Sequence, residues 1–217
     1  MPSYYIYAPF NGGVSSLNCY CNAIGSPCSS PCASEGSKCK DIATCKTCSS
    51  PCGCSGCCYH TIVGTGHCCP LDLSGVSANT YIYAWMGWEI ASVKVVYMSG
   101  VCASATGDIN NGIFLEVYTG FGATGVKLGR LLYGHIKNRQ LSNGRIVSRP
   151  PDIPDWQNWY LILGQVPEYP GPNTCYSGPH THFSIRSESG VSKTRNGNLN
   201  CATPVYAGST LIYWWTY

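Results

Sequence analysis

Ser177-Gly178-Pro179-His180-Thr181-His182-Phe183-Ser184-Ile185-Arg186 reads as a Gly-Pro turn running into a β-strand. Side chains alternate along a strand with period two, so His180 and His182 share one face. Two imidazoles on one face, just after a turn, make half of a zinc site. Two satisfied histidines in a polar strand are the competing reading of so short a pattern. Either way the stretch is β, and its surroundings are of the same kind. Residues 80–85, 90–97 and 113–118 are strand candidates bounded by Gly and Asn, and 131–133, 159–163 and 210–215 follow. Residues 4–8 supply a first strand. No segment holds a sustained 3.6-residue period. Residues 142–158, with Pro150, Pro151 and Pro154, are expected to form a loop. The fold class is therefore mainly β: an antiparallel sheet with long loops.

Composition narrows the function. The 217 residues are 44% hydrophobic and 11% charged; the charged share is less than half the usual ~25%, which excludes a charge-rich disordered tail. With 25 Gly, 14 Pro and 16 Tyr, and few Glu or Lys to fill exposed helix faces, a helix bundle is excluded too. A net charge of +3 is too small and dispersed to argue for nucleic acid. The apolar runs stop well short of the ~20 residues that span a bilayer.

Cysteine is the outlier, with 16 in the chain. Eleven lie in residues 19–58, among Ser, Gly, Pro and Lys with almost nothing apolar. Such a segment cannot fold by burial alone and needs covalent or metal staples. It reads as a cross-linked insertion after a first strand in 1–18, with the main domain over 59–217. Disulfides are favoured over a second, structural zinc, although Cys45-x-x-Cys48 and Cys54-x-x-Cys57 have zinc-site spacing. This cysteine density points to an oxidising compartment, hence an extracellular or virion-associated protein. The opening MPSYYIYAPF lacks a leader pattern, so release without one, or its earlier removal, is expected. A thermophilic cytosol is the remaining option.

Two further segments carry histidine. His67-Cys68-Cys69-Pro70-Leu71-Asp72 places an imidazole and a carboxylate close together, either as two ligands or as a surface turn. In Leu132-Tyr133-Gly134-His135-Ile136 a histidine ends an apolar strand, where a structural role is the alternative.

Taken in order, these pieces resemble the lysostaphin-type (LytM-like) zinc endopeptidases, which cut peptides of bacterial peptidoglycan. That family reads H-x-x-x-D, then Y-x-H-[LI], then G-P-H-x-H-F. This chain has His67…Asp72, Tyr133-Gly134-His135-Ile136 and Gly178-Pro179-His180-Thr181-His182-Phe183. Leu163-Gly164-Gln165-Val166 and a Gly/Pro/Asn-rich turn stand where the family has its I-G-x-x-G-x-T-G turn. The match covers residues 59–190 in scattered blocks and takes in four of the five histidines. The resemblance implies a catalytic zinc held by His67, Asp72 and His182. It implies that His135 and His180 flank the metal-bound water without ligating it; one such imidazole can carry the proton and a second can stabilise the oxyanion. It also implies peptidoglycan peptides as the substrate.

One departure stands out. The family separates the first His from the Asp by four residues, and here the separation is five. On a regular strand that reverses the face, so a kink at Cys69-Pro70 is required. Cys68 has the family spacing and is the alternative ligand; His60, twelve residues from Asp72, is a weaker one. The resemblance also implies the lysostaphin-like peptidase fold, an antiparallel sheet with a substrate groove, and Trp156, Trp159 and the turn at 169–177 are expected to wall that groove. The competing functions are a catalytically inactive relative that binds the wall, or a structural virion or cell-surface protein.

Overall fold

A computed structural model describes residues 1–10, 13–14, 16–18, 71–102, 106–171, 176, 178–195 and 205–217. The Cys-rich segment 19–58, His60, His67 and Cys68 lie outside the described residues. Among the described residues fourteen strands run in order: β1 (Ser3–Tyr7), β2 (Gly13–Val14), β3 (Ser16–Asn18), β4 (Leu71–Ser74), β5 (Tyr81–Met86), β6 (Ser92–Ser99) and β7 (Asn111–Gly120). Then come β8 (Thr124–Gly134), β9 (Ile146–Ser148), β10 (Trp159–Gln165), β11 (His180–Ser187), β12 (Ser192–Arg195), β13 (Val205–Tyr206) and β14 (Leu211–Thr216). Among the described residues there is no α-helix, and no helix long and apolar enough to cross a membrane.

The strands form a five-stranded sheet, β10-β5-β1-β14-β12, and a seven-stranded sheet, β3-β4-β11-β8-β7-β6-β9, with β13-β2 as a small ribbon. Strand neighbours within the sheets are antiparallel. The period-two pattern explains how the sheets pack. In β5, Ile82, Ala84 and Met86 are fully buried while Tyr81, Tyr83 and Trp85 are not. One core cluster joins Ile6, Ile82, Met86, Tyr213 and Trp215 of the smaller sheet to Val93, Val95, Leu115, Tyr133, Phe183 and Ile185 of the larger. The Phe183 and Tyr213 rings, one from each sheet, lie 5.9 Å apart.

Strand β11 has neighbours on both sides and is buried from His180 through Ile185. Thr181, Phe183 and Ile185 alternate with His180, His182 and Ser184. Phe183 and Ile185 belong to the inter-sheet core, so the histidines occupy the opposite face.

The expected loop at 142–158 contains β9, which pairs with β6 at the sheet edge. The β-branched Ile146 and Val147 suit an edge strand, and the prolines begin only at Pro150. Strands β7 and β8 also extend further than their apolar runs, through a Gly/Thr tract tolerated by irregularities beside Val117 and Tyr118. Trp159 is not a groove wall. It is 2% exposed and its indole Nε1–H donates to Ile90 O at 3.0 Å. Trp156 is 79% exposed.

Candidate metal centre

The ladder sets the site. His182 pairs with Asp72 of β4 on one side and with Gly134 of β8 on the other. Gly134 in turn pairs with Gly112 of β7. A row with two adjacent glycines leaves a low floor beside the imidazole. Val101 lies over that floor: a Cβ on Gly134 would stand 2.7 Å from Val101 Cγ1 and 3.0 Å from His182 Cβ. The Val101 loop is tied down by Asn110, whose Oδ1 accepts from Gly100 N–H at 2.7 Å and Cys102 N–H at 3.2 Å.

His135 follows β8 directly. Its φ of 58° is left-handed, uncommon for a residue with a side chain. The turn is held by Ile136 N–H donating to Asn111 O at 3.1 Å. It swings the imidazole back over the sheet. There the His135, His180 and His182 rings converge, with centroids 4.3 Å (135–182), 4.8 Å (135–180) and 5.0 Å (180–182) apart. All three are at most 4% exposed. Their ligand atoms lie within 4.8 Å of one another, close enough to hold a metal ion.

Hydrogen bonds orient two of the rings. His135 Nδ1 meets Ile109 O, and His180 Nδ1 meets Gly178 O at 2.6 Å. A carbonyl only accepts, so both Nδ1 atoms carry the proton, and in the neutral rings both Nε2 atoms present a lone pair. Backbone carbonyls fix ligating histidines in the same way in metal sites. His135 Nε2 lies 3.3 Å from His182 Nε2.

Tyr176 completes the pocket. Its ring stacks on His180 at 4.6 Å and meets His135 edge-on at 4.8 Å. Its hydroxyl donates to Pro167 O at 3.0 Å and accepts from His180 N–H at 3.2 Å. Burial, with a smaller contribution from the Glu168 charge, pushes its phenol up to about 12. It therefore stays a neutral donor. Tyr176→Phe should keep the stack but strand two buried backbone groups, costing about 1–2 kcal/mol in chemical denaturation. An unchanged unfolding midpoint would remove this brace from the account. Tyr133, by contrast, is fully buried in the core against Phe183 at 4.9 Å, and burial drives its phenol far above the ordinary range. It lies on the face opposite His182.

No family model, curated protein or solved structure matches this chain.

The structure thus brings together His135, His180 and His182 and sets the Asp72 backbone opposite His182. His67 lies outside the described residues. Tyr176, Val101 and the carbonyls of Ile109 and Gly178 were not singled out by sequence. Tyr176 sits in a Gly/Pro/Asn-rich turn, where the only signal was its place four residues before His180.

Two rows along the same face, Arg186, Arg130, Glu116 and Lys94 align across four strands. Glu116 binds Lys127 at 2.9 Å and Arg130 at 3.1 Å, with its side chain 12% exposed. Burial disfavours its charge, but Lys127 and Arg130 outweigh that and hold the carboxyl below its usual range. A depressed folded value means the unfolded chain binds the proton more readily. The contribution is therefore complete above the unfolded value of ~4.3 and fades as pH falls through the folded one. Glu116→Gln should cost about 1 kcal/mol at neutral pH and nothing in strong acid. Urea unfolding at both pH values checks this; a pH-independent difference contradicts it.

Proposed function

We propose that this chain is a zinc-dependent endopeptidase that hydrolyses peptide bonds in bacterial peptidoglycan. The supporting observation is the convergence of three buried imidazoles, in the order the family resemblance requires, with Asp72 opposite His182 in the ladder. The donor set fits the ion. Imidazole nitrogen with a carboxylate suits zinc, whereas calcium and magnesium take oxygen ligands. The carbonyls behind His135 and His180 supply the outer support such ligands need. Asp72 and His182 would hold the metal. When bound, zinc supplies Lewis acidity and lowers the pKa of a coordinated water toward ~7.

The chain's own residues do the rest. His180 Nε2, with its Nδ1–H committed to Gly178 O, accepts the proton of the attacking water. The same atom returns it to the leaving amine. Tyr176 holds that imidazole by stacking and through its main-chain N–H. Burial of the three rings keeps bulk water from competing for the proton.

Lysis of purified bacterial cell walls tests this reading. Activity abolished by a chelator and restored by zinc supports it. A chain that takes up zinc but releases no wall peptides favours the inactive, wall-binding alternative.

A further inference from the structure

We infer that His135 is itself a ligand of the metal, sharing the ion with His182 and taking the vertex that the resemblance gives to His67. The inference rests on the metal-site reading above and changes its ligand set. Zinc–nitrogen bonds of 2.0–2.1 Å at the tetrahedral angle put two ligand nitrogens about 3.3–3.4 Å apart. His135 Nε2 and His182 Nε2 are 3.3 Å apart. Their ring centroids are also the closest pair of the three.

The protonation pattern points the same way. His135 and His180 both spend Nδ1–H on a backbone carbonyl, so two lone pairs enter one buried pocket. The His135 Nε2 lone pair is the one that faces His182 Nε2, where a cation shared by the two rings would accept it. The backbone adds an independent sign. His135 holds a left-handed φ of 58°, and strain of this kind persists where surrounding contacts over-determine it, often at functional sites. Here Ile136 N–H and the Ile109 carbonyl pin the residue on both sides.

His180 is set back by comparison. Its Nδ1–H to Gly178 O and its stack on Tyr176 hold it 4.8 and 5.0 Å, ring to ring, from the other two. That leaves it as the base. The third ligand is the Asp72 that the resemblance names, whose backbone stands opposite His182 in the register. His67 stands five residues from Asp72, a spacing that turns a regular strand the wrong way.

The test is metal binding, not activity. Chelator-stripped wild-type chain, His135→Asn and His67→Ala are titrated with Co2+ and Zn2+ by absorbance and calorimetry. Asn tolerates the left-handed backbone, and circular dichroism confirms the fold. His135→Asn should weaken binding beyond the ~10–100-fold that a merely supporting residue costs. His67→Ala should bind like wild type. Retained affinity in His135→Asn, as expected if the two imidazoles only share a proton, overturns the inference. Lost affinity in His67→Ala overturns it too. If His135→Asn does not fold, cadmium–nitrogen couplings in the histidine-labelled wild type decide, and no coupling at His135 Nε2 is negative. A wild type that binds metal through His135 yet leaves walls intact rejects the peptidase reading and spares the ligand assignment.

Discussion

His182→Ala is expected to lose zinc uptake and wall lysis together. His182 is central in the ladder, with Asp72 on one side and Gly134 on the other, and its Nε2 is 3.3 Å from that of His135. Alanine removes a ligand without disturbing the strand, since β11 is held by neighbours on both sides. His180→Ala is the necessary companion. It removes the proton carrier but leaves the His135–His182 pair, so metal should stay while kcat falls roughly a hundred- to ten-thousand-fold. KM should change far less, because an interaction made mainly in the transition state is lost. Metal analysis and wall lysis on the same preparations separate the two variants. Full activity in His180→Ala would end the role given to that residue, and zinc retained in His182→Ala would end the site.

The second large effect concerns stability. Trp159→Ala should destabilise the fold by about 3–5 kcal/mol. The ring is 2% exposed, belongs to the inter-sheet core and donates to Ile90 O. Truncation leaves a cavity and strands that carbonyl. Trp156→Ala, three residues earlier at 79% exposure, should stay within about 0.5 kcal/mol of wild type. Urea unfolding of both variants checks the contrast. Equal midpoints would mean that Trp159 is not the packing residue its surroundings indicate.

That pair of tryptophans shows where the sequence was legible. Runs of β-forming residues beside turn residues identified the strands at 80–85 and 182–186. Trp159 begins a strand whose neighbours are apolar on both sides, so alternation could not tell wall from core. Short strands such as β9, β12 and β13 carry too few residues for any period, and their pairing partners supply the order. At the site, His135, His180 and His182 could be named because a motif orders them. Their mutual distances depend on a left-handed turn after β8 that no local pattern around Gly134-His135 announces. Tyr176 went unnoticed because its work, a stack and two main-chain hydrogen bonds, is entirely three-dimensional.

Asn18 of β3 and Asp72 of β4 are direct partners in the antiparallel ladder. Whatever lies between them therefore departs and returns one interstrand gap apart. Its length can grow or shrink in evolution at little cost to the scaffold, since closing a longer loop adds only ~0.6 kcal/mol per doubling.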